Sequence, residues 1–387
     1  MNSFFSYKYI LFSLFFLLMV FLLSACSEQK DEKIPSTNNV ASVLYSTDTA
    51  GEQIGSGISY LFLVSEDGHV STVKKRGLEL NSIIPYNDQI LFHQKNEMIE
   101  IKKDGVTSQT EFKGCTASSG YGQSSGILKK QGFYYTLFNI GFTPDMDGYI
   151  SRIRWGDVTN NYCKELGTYI EAAGNDDDHI YLLSGDRSDP TRLNFQTVDV
   201  GDGTLNEGSL IELKNMKSDS RIMFTRLLPY ENRLIGIFST SNDNGYQLQL
   251  LEVNPADPND AKIHSLKEYS EDSSDYFLYN KEAIHIYDGQ IYYVDGYGDV
   301  YSYDLKEEVV NKKFHFENYT RTSRLQDEQV FFKKDRLFFF RYNLEKGEHQ
   351  IETYSLKGDL EAVLPVKGIG QEIGKDKVHI YDFKILD

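Results

Sequence analysis

The residues best suited to chemistry crowd into one stretch, Tyr287 to Leu305, which places four aspartates among tyrosines. Aspartates can bind hard cations, and paired carboxylates can act as general acid and base. The turn position of Asp288 recurs elsewhere in the chain, at Asp88, Asp178 and Asp335. Since a short polar side chain favours turns, we interpret Asp288 as structural. Asp295 and Asp299, which the other hairpins do not repeat, stay candidates for a specific role.

Three other motifs resemble catalytic or metal sites. Gly122 to Gly126 matches the Gly-x-Ser-x-Gly nucleophile elbow, but it sits in a Ser/Gly loop that enters a strand, not between a strand and a helix. Asp145 to Gly148 begins like a calcium loop and lacks the later acidic ligands. Asp176 to Asp178 has the composition of a solvated turn. The eight histidines show no two-ligand spacing. We therefore predict no catalytic residue, no metal and no cofactor.

The first 25 residues have the pattern of an export signal. Lys8 is their only basic residue, and an apolar run follows from Tyr9 to Leu23. A run of about 15 residues suits a signal peptide and is short for a bilayer-spanning helix. It ends in Leu23-Ser24-Ala25-Cys26, which resembles the bacterial lipoprotein signal. The alternative is an ordinary secretory peptide with an incidental cysteine. We predict a signal peptide over 1–25 and a lipidated Cys26.

The composition bounds the location and the partners. Residues 26–40 are mostly polar and charged, which predicts a flexible tether after the lipid. The net charge of −17 argues against nucleic acid as a partner, because binding phosphates needs a basic surface. We expect a domain outside the cytoplasm in the bacterial cell envelope, held to a membrane by the lipid alone.

The elements that carry these residues repeat along the chain. The opening stretch is a template: a turn, a short aromatic strand, a second turn and a returning strand. Sliding it along the chain finds similar hairpins. The first apolar residues of the copies are Ile90, Phe133, Ile180, Leu234, Ile291, Leu337 and Val378. A period of about 40 to 55 residues with four strands is typical of propeller blades.

The two ends of the chain each supply a partial blade. Ile58 to Val64 and His69 to Lys74 form a hairpin with no complete blade around it, and the copy from Asp376 is likewise incomplete. Sharing one sheet between both ends closes a ring and protects its edges. We predict an all-β propeller over residues 41–387 with seven blades, although the spacing also admits six or eight. The alternative is a pair of β-sandwiches.

One repeat carries a family resemblance. Ile291-Tyr292-Tyr293-Val294-Asp295 resembles the Ile-Tyr-Trp-Thr-Asp repeat of low-density-lipoprotein-receptor-type propellers. Together with the N-terminus, this is similar to bacterial lipoproteins that carry such propellers, mostly of unknown function. The resemblance covers roughly residues 57 to 387 in pattern and one blade in detail. It implies an architecture, and function does not transfer from a fold.

The propeller topology also bears on the other two cysteines. Cys115 follows an outer strand and Cys163 begins one, which would place them toward opposite faces of neighbouring blades. A disulfide needs Cα atoms within about 7 Å. We therefore predict that the two are unpaired.

The same topology predicts a binding face. Three long polar loops on adjacent blades, at 118–125, 142–148 and 185–191, share one end of the ring. Binding residues concentrate on loops that a rigid scaffold holds. The candidates on these loops are Tyr121, Asp145, Asp147, Arg187 and Asp189.

These observations predict a membrane-anchored, non-enzymatic propeller that binds or scaffolds protein or an envelope polymer. The alternative function is a glycan-active enzyme with its site at the central channel. An enzyme predicts a deep pocket with convergent carboxylates at the channel mouth, whereas a scaffold predicts a shallow face with exposed aromatics.

Overall fold

The structure is a computed structural model. It describes residues 38–47, 57–77, 83–103, 105, 107–112, 114–115, 121–146, 148–185, 192–214, 221–242, 245–270, 280–321 and 327–386. At 121–123, 221–224 and 242 only the backbone is described. The predicted signal peptide and Cys26 lie outside the described residues.

The strands form seven antiparallel sheets, numbered here as blades along the chain. The first three strands belong to the last blade: β1 (Asn39–Ser46), β2 (Ser59–Ser65) and β3 (Val70–Lys75). Blade 1 contains β4 (Ile83–Tyr86), β5 (Gln89–His93), β6 (Glu97–Lys102) and β7 (Thr107–Glu111). Blade 2 contains β8 (Tyr121–Leu128), β9 (Phe133–Phe142), β10 (Tyr149–Gly156) and β11 (Asn161–Leu166). Blade 3 contains β12 (Tyr169–Asn175), β13 (Ile180–Gly185), β14 (Leu193–Val200), β15 (Leu205–Glu207) and β16 (Ile211–Glu212).

The second half of the chain continues in the same way. Blade 4 contains β17 (Arg221–Phe224), β18 (Leu228–Tyr230), β19 (Arg233–Asn242), β20 (Gly245–Val253) and β21 (Lys262–Tyr269). Blade 5 contains β22 (Ile284–Tyr287), β23 (Gln290–Val294), β24 (Asp299–Asp304) and β25 (Val309–His315). Blade 6 contains β26 (Glu328–Lys333), β27 (Arg336–Asn343), β28 (Glu348–Ser355) and β29 (Leu360–Val366). A one-turn helix, Ile369–Ile373, leads to β30 (His379–Ile385), and a 3-10 turn, Pro258–Asp260, precedes β21.

The chain is therefore a seven-bladed all-β propeller, as the repeat predicted. The first strand of each blade contacts the first strand of a neighbouring blade, so these strands line the axis. We call the upper face the end that carries the turns between second and third strands and the linkers into each inner strand. The other end, with the remaining turns, is the lower face.

Ring closure by both chain ends is confirmed, with one change of position. β30 pairs with β1, placing Val43 opposite Phe383, and the blade runs β30, β1, β2, β3 from inside to outside. The C-terminal copy is thus the inner strand of this blade rather than its second strand. The second position belongs to β1, which the repeat search missed. Asn39 and Val40 lie in β1 and not in the predicted tether.

Burial explains the aromatic strands. The middle strands of a blade are covered on both faces by neighbouring blades, so β23 reads as a continuous buried run. The outer strand β25 is largely exposed and polar. Tyr292, Tyr293 and Tyr301 belong to a core cluster that joins blades 4, 5 and 6. At the lower end of blade 5, Asp288 and Gly289 have φ of 48° and 72°, which a two-residue hairpin turn requires. The turn role predicted for Asp288 is confirmed.

The prediction about the cysteines is wrong. Cys115 and Cys163 form a disulfide, with their Cα atoms 6.2 Å apart. Blades twist strongly from their inner to their outer strands, and this twist brings β11 of blade 2 against the linker that leaves blade 1. Arg154, opposite Cys163 in the sheet, shows the proximity because its Nη2 donates to the carbonyl of Cys115 at 2.7 Å.

Candidate binding site on the upper face

Of the five predicted site residues, the structure describes two. Asp145 lies in the exposed turn between β9 and β10, on the upper face. Tyr121 lies in a strand and not in a loop, because it begins β8 and pairs with Asn139 at the upper end of β9. The structure thus brings these two positions to one face of blade 2. Asp147, Arg187 and Asp189 lie outside the described residues.

The serine motif also lies in a strand. Ser124 and Ser125 are in β8, opposite Leu137 and Thr136, so the Gly-x-Ser-x-Gly stretch is not a strand-to-helix elbow. Both serines line the narrow central cavity. The run of three aspartates is a turn, in which Asp176 Oδ1 accepts from the backbone N–H groups of Asp178 and His179 at 2.7 Å.

Beside Asp145 the upper face carries an apolar surface that sequence reasoning missed. The rings of Phe142 and Tyr149 have centroids 4.9 Å apart, and Tyr149 lies 5.0 Å from Tyr169 of blade 3. We call Phe142, Tyr149 and Tyr169 the upper aromatic run. Phe142 is 47% exposed, and Met146 in the adjacent turn is 55% exposed. The run crosses from blade 2 to blade 3 on the face where the predicted residues lie.

A buried amide fixes the base of this surface. Asn139 donates from Nδ2 to the carbonyl of Ile170 and accepts from the N–H of Ile170, both at 2.9 Å. Its Oδ1 also accepts from the Ser151 hydroxyl at 2.7 Å. A buried amide with its hydrogen bonds satisfied holds its neighbours in one arrangement. Asn139 therefore locks β9 of blade 2 to β12 of blade 3 directly beneath the upper aromatic run.

Charged side chains of the inner strands and their linkers line a small central cavity. Glu282 pairs with Arg226 at 3.0 Å and with Lys384 at 2.5 Å, and Lys384 lies 3.4 Å from Asp382. Burial raises the pKa of Glu282, but the charges of Lys384 and Arg226 outweigh it and hold this pKa at about 2. Burial lowers the pKa of Lys281 to about 8 against the opposing charges of Glu171 and Glu282. These groups surround a cavity of about 20 Å³, room for about one water.

The two aspartates singled out in blade 5 have structural partners. Asp295 is fully buried and accepts from Tyr269 at 2.8 Å and Lys267 at 3.2 Å, both from blade 4. Its other oxygen accepts from the backbone N–H groups of Tyr297 and Asp299 at 2.9 and 3.0 Å. Burial raises the pKa of Asp295 against the lowering effects of Lys267 and Tyr269. Asp295 therefore holds the upper turn of blade 5 and joins it to blade 4.

Asp299 completes the outer part of this network. Its Oδ1 accepts from His315 at 2.8 Å and lies 2.7 Å from Lys312. Burial raises the pKa of Asp299, but hydrogen bonds from Lys312, His315 and Tyr301 outweigh this and lower it overall.

In the part of the chain that the structure describes, no three His, Cys, Asp or Glu side chains are grouped to hold a metal ion. No helix of the same residues is long and apolar enough to cross a membrane.

The architecture and this surface define a seven-bladed β-propeller with an apolar patch on one face. The chain belongs to the YycP family, since the family model described as YycP, beta-propeller domain, matches residues 36–386. It is similar to the uncharacterized protein YycP of Bacillus subtilis (strain 168). The two are 25% identical over 379 residues, which covers 92% of this chain and 91% of that protein.

One solved structure agrees on the fold. A variant of the Synechocystis apocarotenoid oxygenase superposes with a TM-score of 0.52 at 9% identity, covering 87% of this chain and 91% of that one. A computationally designed protein superposes with a TM-score of 0.47 at 11% identity, covering 86% and 89%. At 9% identity the likeness to the oxygenase shows the fold alone.

Proposed function

We propose that the protein is a lipoprotein, anchored through Cys26, whose propeller lies outside the cytoplasm and binds protein or an envelope polymer on its upper face. One observation carries the binding role: Phe142 and Met146 are about half exposed on a hairpin that continues into the upper aromatic run. A contiguous exposed apolar surface on a rigid scaffold is typical of interaction sites. The binding surface is thus assigned to blades 2 and 3.

The alternative, a glycan-active enzyme at the central channel, has less support. Its site would need room for a sugar ring and a pair of carboxylates free to act on it. The cavity beside Glu282, of about 20 Å³, is too small for a sugar, and Glu282 is held between Arg226 and Lys384. The blade 5 repeat, with its resemblance to receptor-type propellers, contributes Asp295 to structure and not to a site.

Site-specific photo-crosslinking in intact cells tests the binding role. A photo-reactive residue at Phe142 is compared with one at Val309, which is 46% exposed on the outer strand of blade 5 and off the proposed surface. We expect discrete adducts from position 142 and none from position 309. Equal labelling from both positions, or none from position 142, would contradict the proposal.

The lipid anchor is tested separately. Cells fed an alkyne fatty acid should label the wild-type chain and leave Cys26→Ser unlabelled, with the wild type in the membrane fraction. Labelling of Cys26→Ser would contradict the assignment of the anchor to this cysteine. Because the crosslinking experiment reads only the upper face, the two parts of the proposal can fail independently.

A further inference from the structure

A second cavity lies on the lower face, where the closing blade meets blade 1. It has a volume of about 510 Å³. Both ends of the described chain contribute to its wall, Asn38 to Val40 on one side and Leu386 on the other. The turn between β4 and β5 and the end of β6 supply the opposite wall. We call this cavity the lower cleft; its volume is within the range of small-molecule sites.

The floor of the lower cleft is apolar. Ile90 and Ile101 belong to the core between the closing blade and blade 1, and Leu386 packs against that core. Ile127, from the inner strand of blade 2, is only partly buried and extends the apolar floor. Branched apolar side chains from several strands give a surface that suits a hydrocarbon chain better than a sugar or a nucleotide.

The rim of the cleft carries one free charge of each sign. Lys103 pairs with Asp88 at 2.9 Å, so these two neutralise each other. Lys102 and Glu66 also line the cleft, and neither has an ion pair among the described residues. An ammonium and a carboxylate without partners complement a head group that carries both a phosphate and an ammonium.

The place where the chain enters the ring connects this cleft to the membrane. The described chain begins at Asn38 in the cleft wall, and Cys26 is twelve residues earlier in the sequence. Twelve extended residues span at most about 40 Å, so a lipid on Cys26 keeps the lower cleft within that distance of the bilayer. This step rests on the proposed anchor.

We propose that the lower cleft binds a single-chain, zwitterionic phospholipid. Its acyl chain lies over Ile90, Ile101 and Ile127, its phosphate pairs with Lys102 and its ammonium pairs with Glu66. The ligand bridges the closing blade and blade 1, so it also stabilises the ring at the junction of its two ends.

Calorimetry on the lipid-free chain from residue 27 onward tests this inference. Every described strand lies between Asn39 and Ile385, so that chain keeps the whole ring. The probe is myristoyl lysophosphatidylethanolamine below its micelle concentration. We expect saturable one-to-one binding that Ile127→Glu weakens at least about tenfold. Wild-type protein that does not bind, or Ile127→Glu that binds undiminished, would overturn the proposal.

Charge variants on the rim keep the test decisive if Ile127→Glu does not fold. Lys102→Glu and Glu66→Gln should each weaken binding several-fold, and only Lys102→Glu should weaken binding of myristate, which has no ammonium. Lys357→Glu, an exposed lysine in a turn of blade 6, is the matched control and should bind like the wild type. Equal affinity in all these variants would refute the head-group assignment. Because no lipid anchor is present in this assay, its failure is distinct from failure of the anchor proposal.

Discussion

Blades 2 and 5 use the same position of the repeat in opposite ways. In blade 5 the turn between the second and third strands is drawn in, because Asp295 accepts from the backbone of Tyr297 and Asp299. In blade 2 that turn follows β9, which has 10 residues against 5 in β23, and it exposes Phe142 and Met146. One upper turn holds the ring together and the other presents a surface. The hairpin that both blades share therefore determines where the turn lies, and the side chains of the turn determine its role.

Removing the Asp295 carboxylate of blade 5 should have the largest effect on the free energy of unfolding. Asp295→Ala removes the acceptor of the Tyr269 hydroxyl and of two backbone N–H groups, and it removes the nearer of the two carboxylates beside Lys267. We expect a loss of about 5 kcal/mol in the free energy of unfolding, because breaking a buried, hydrogen-bonded charge pair costs about 3 to 5 kcal/mol. Asp145→Ala, in the exposed turn of blade 2, should cost less than about 0.5 kcal/mol. Urea unfolding measures both, and similar losses would erase the contrast between the two turns.

Removing the disulfide between Cys115 and Cys163 should have the next largest effect on the free energy of unfolding. The disulfide closes a loop with a sequence separation of 48, for which chain entropy predicts about 4 kcal/mol of stabilisation. Blade 5 contains no cysteine. Cys163→Ser should therefore lower the free energy of unfolding by about this amount, and reductant should bring the wild type to the same value. A melting temperature indifferent to reductant would contradict the bond.

A buried acid next to blade 5 should make stability depend on pH. Glu328 begins the inner strand of blade 6 and accepts from the Tyr319 hydroxyl at 2.7 Å. Burial raises the pKa of Glu328 to about 7 from 4.5, against the lowering effects of Tyr319 and Arg321. The folded chain then keeps a proton that the unfolded chain releases, so stability falls as pH rises from about 4.5 to 7.

Glu328→Gln should remove this dependence. The variant should match the wild type near pH 4 and exceed it by about 3 kcal/mol near pH 8, because each unit of pKa shift corresponds to about 1.4 kcal/mol. Urea unfolding over that pH range measures the difference. Profiles that stay parallel at every pH would show that Glu328 is not protonated in the folded chain.

The repeat, the blade number and the ring closure follow from local sequence. Each blade is built from hairpins, and turn residues and alternating apolar residues within the blade determine where those hairpins form. The roles of Asp295 and the cysteines do not follow from local sequence. Asp295 finds Lys267 and Tyr269 in another blade, and blade twist decides that Cys115 meets Cys163. Both depend on how blades pack, and no spacing within one blade encodes that packing.

The sequence predicted the position of the candidate surface better than it predicted the residues that form it. Loop topology placed Tyr121 and Asp145 on one face, and the structure keeps that placement. The candidates from the loop at 142–148 were its polar residues Asp145 and Asp147, and its apolar residues Phe142 and Met146 were not among them. The signal that was available is the length of β9, whose last residues extend beyond the part covered by its neighbours.

The exposed hairpin of blade 2 is the proposed binding surface. The test takes the partner that crosslinks at position 142 and measures how well three proteins capture it. These are the wild type, the double variant Phe142→Ala and Met146→Ala, and the control Val309→Ala. The free energy of unfolding should change by less than about 1 kcal/mol in both variants, because the side chains are about half exposed. We predict at least about tenfold weaker capture by the double variant and wild-type capture by the control. Equal capture by all three proteins would show that this hairpin does not bind the partner.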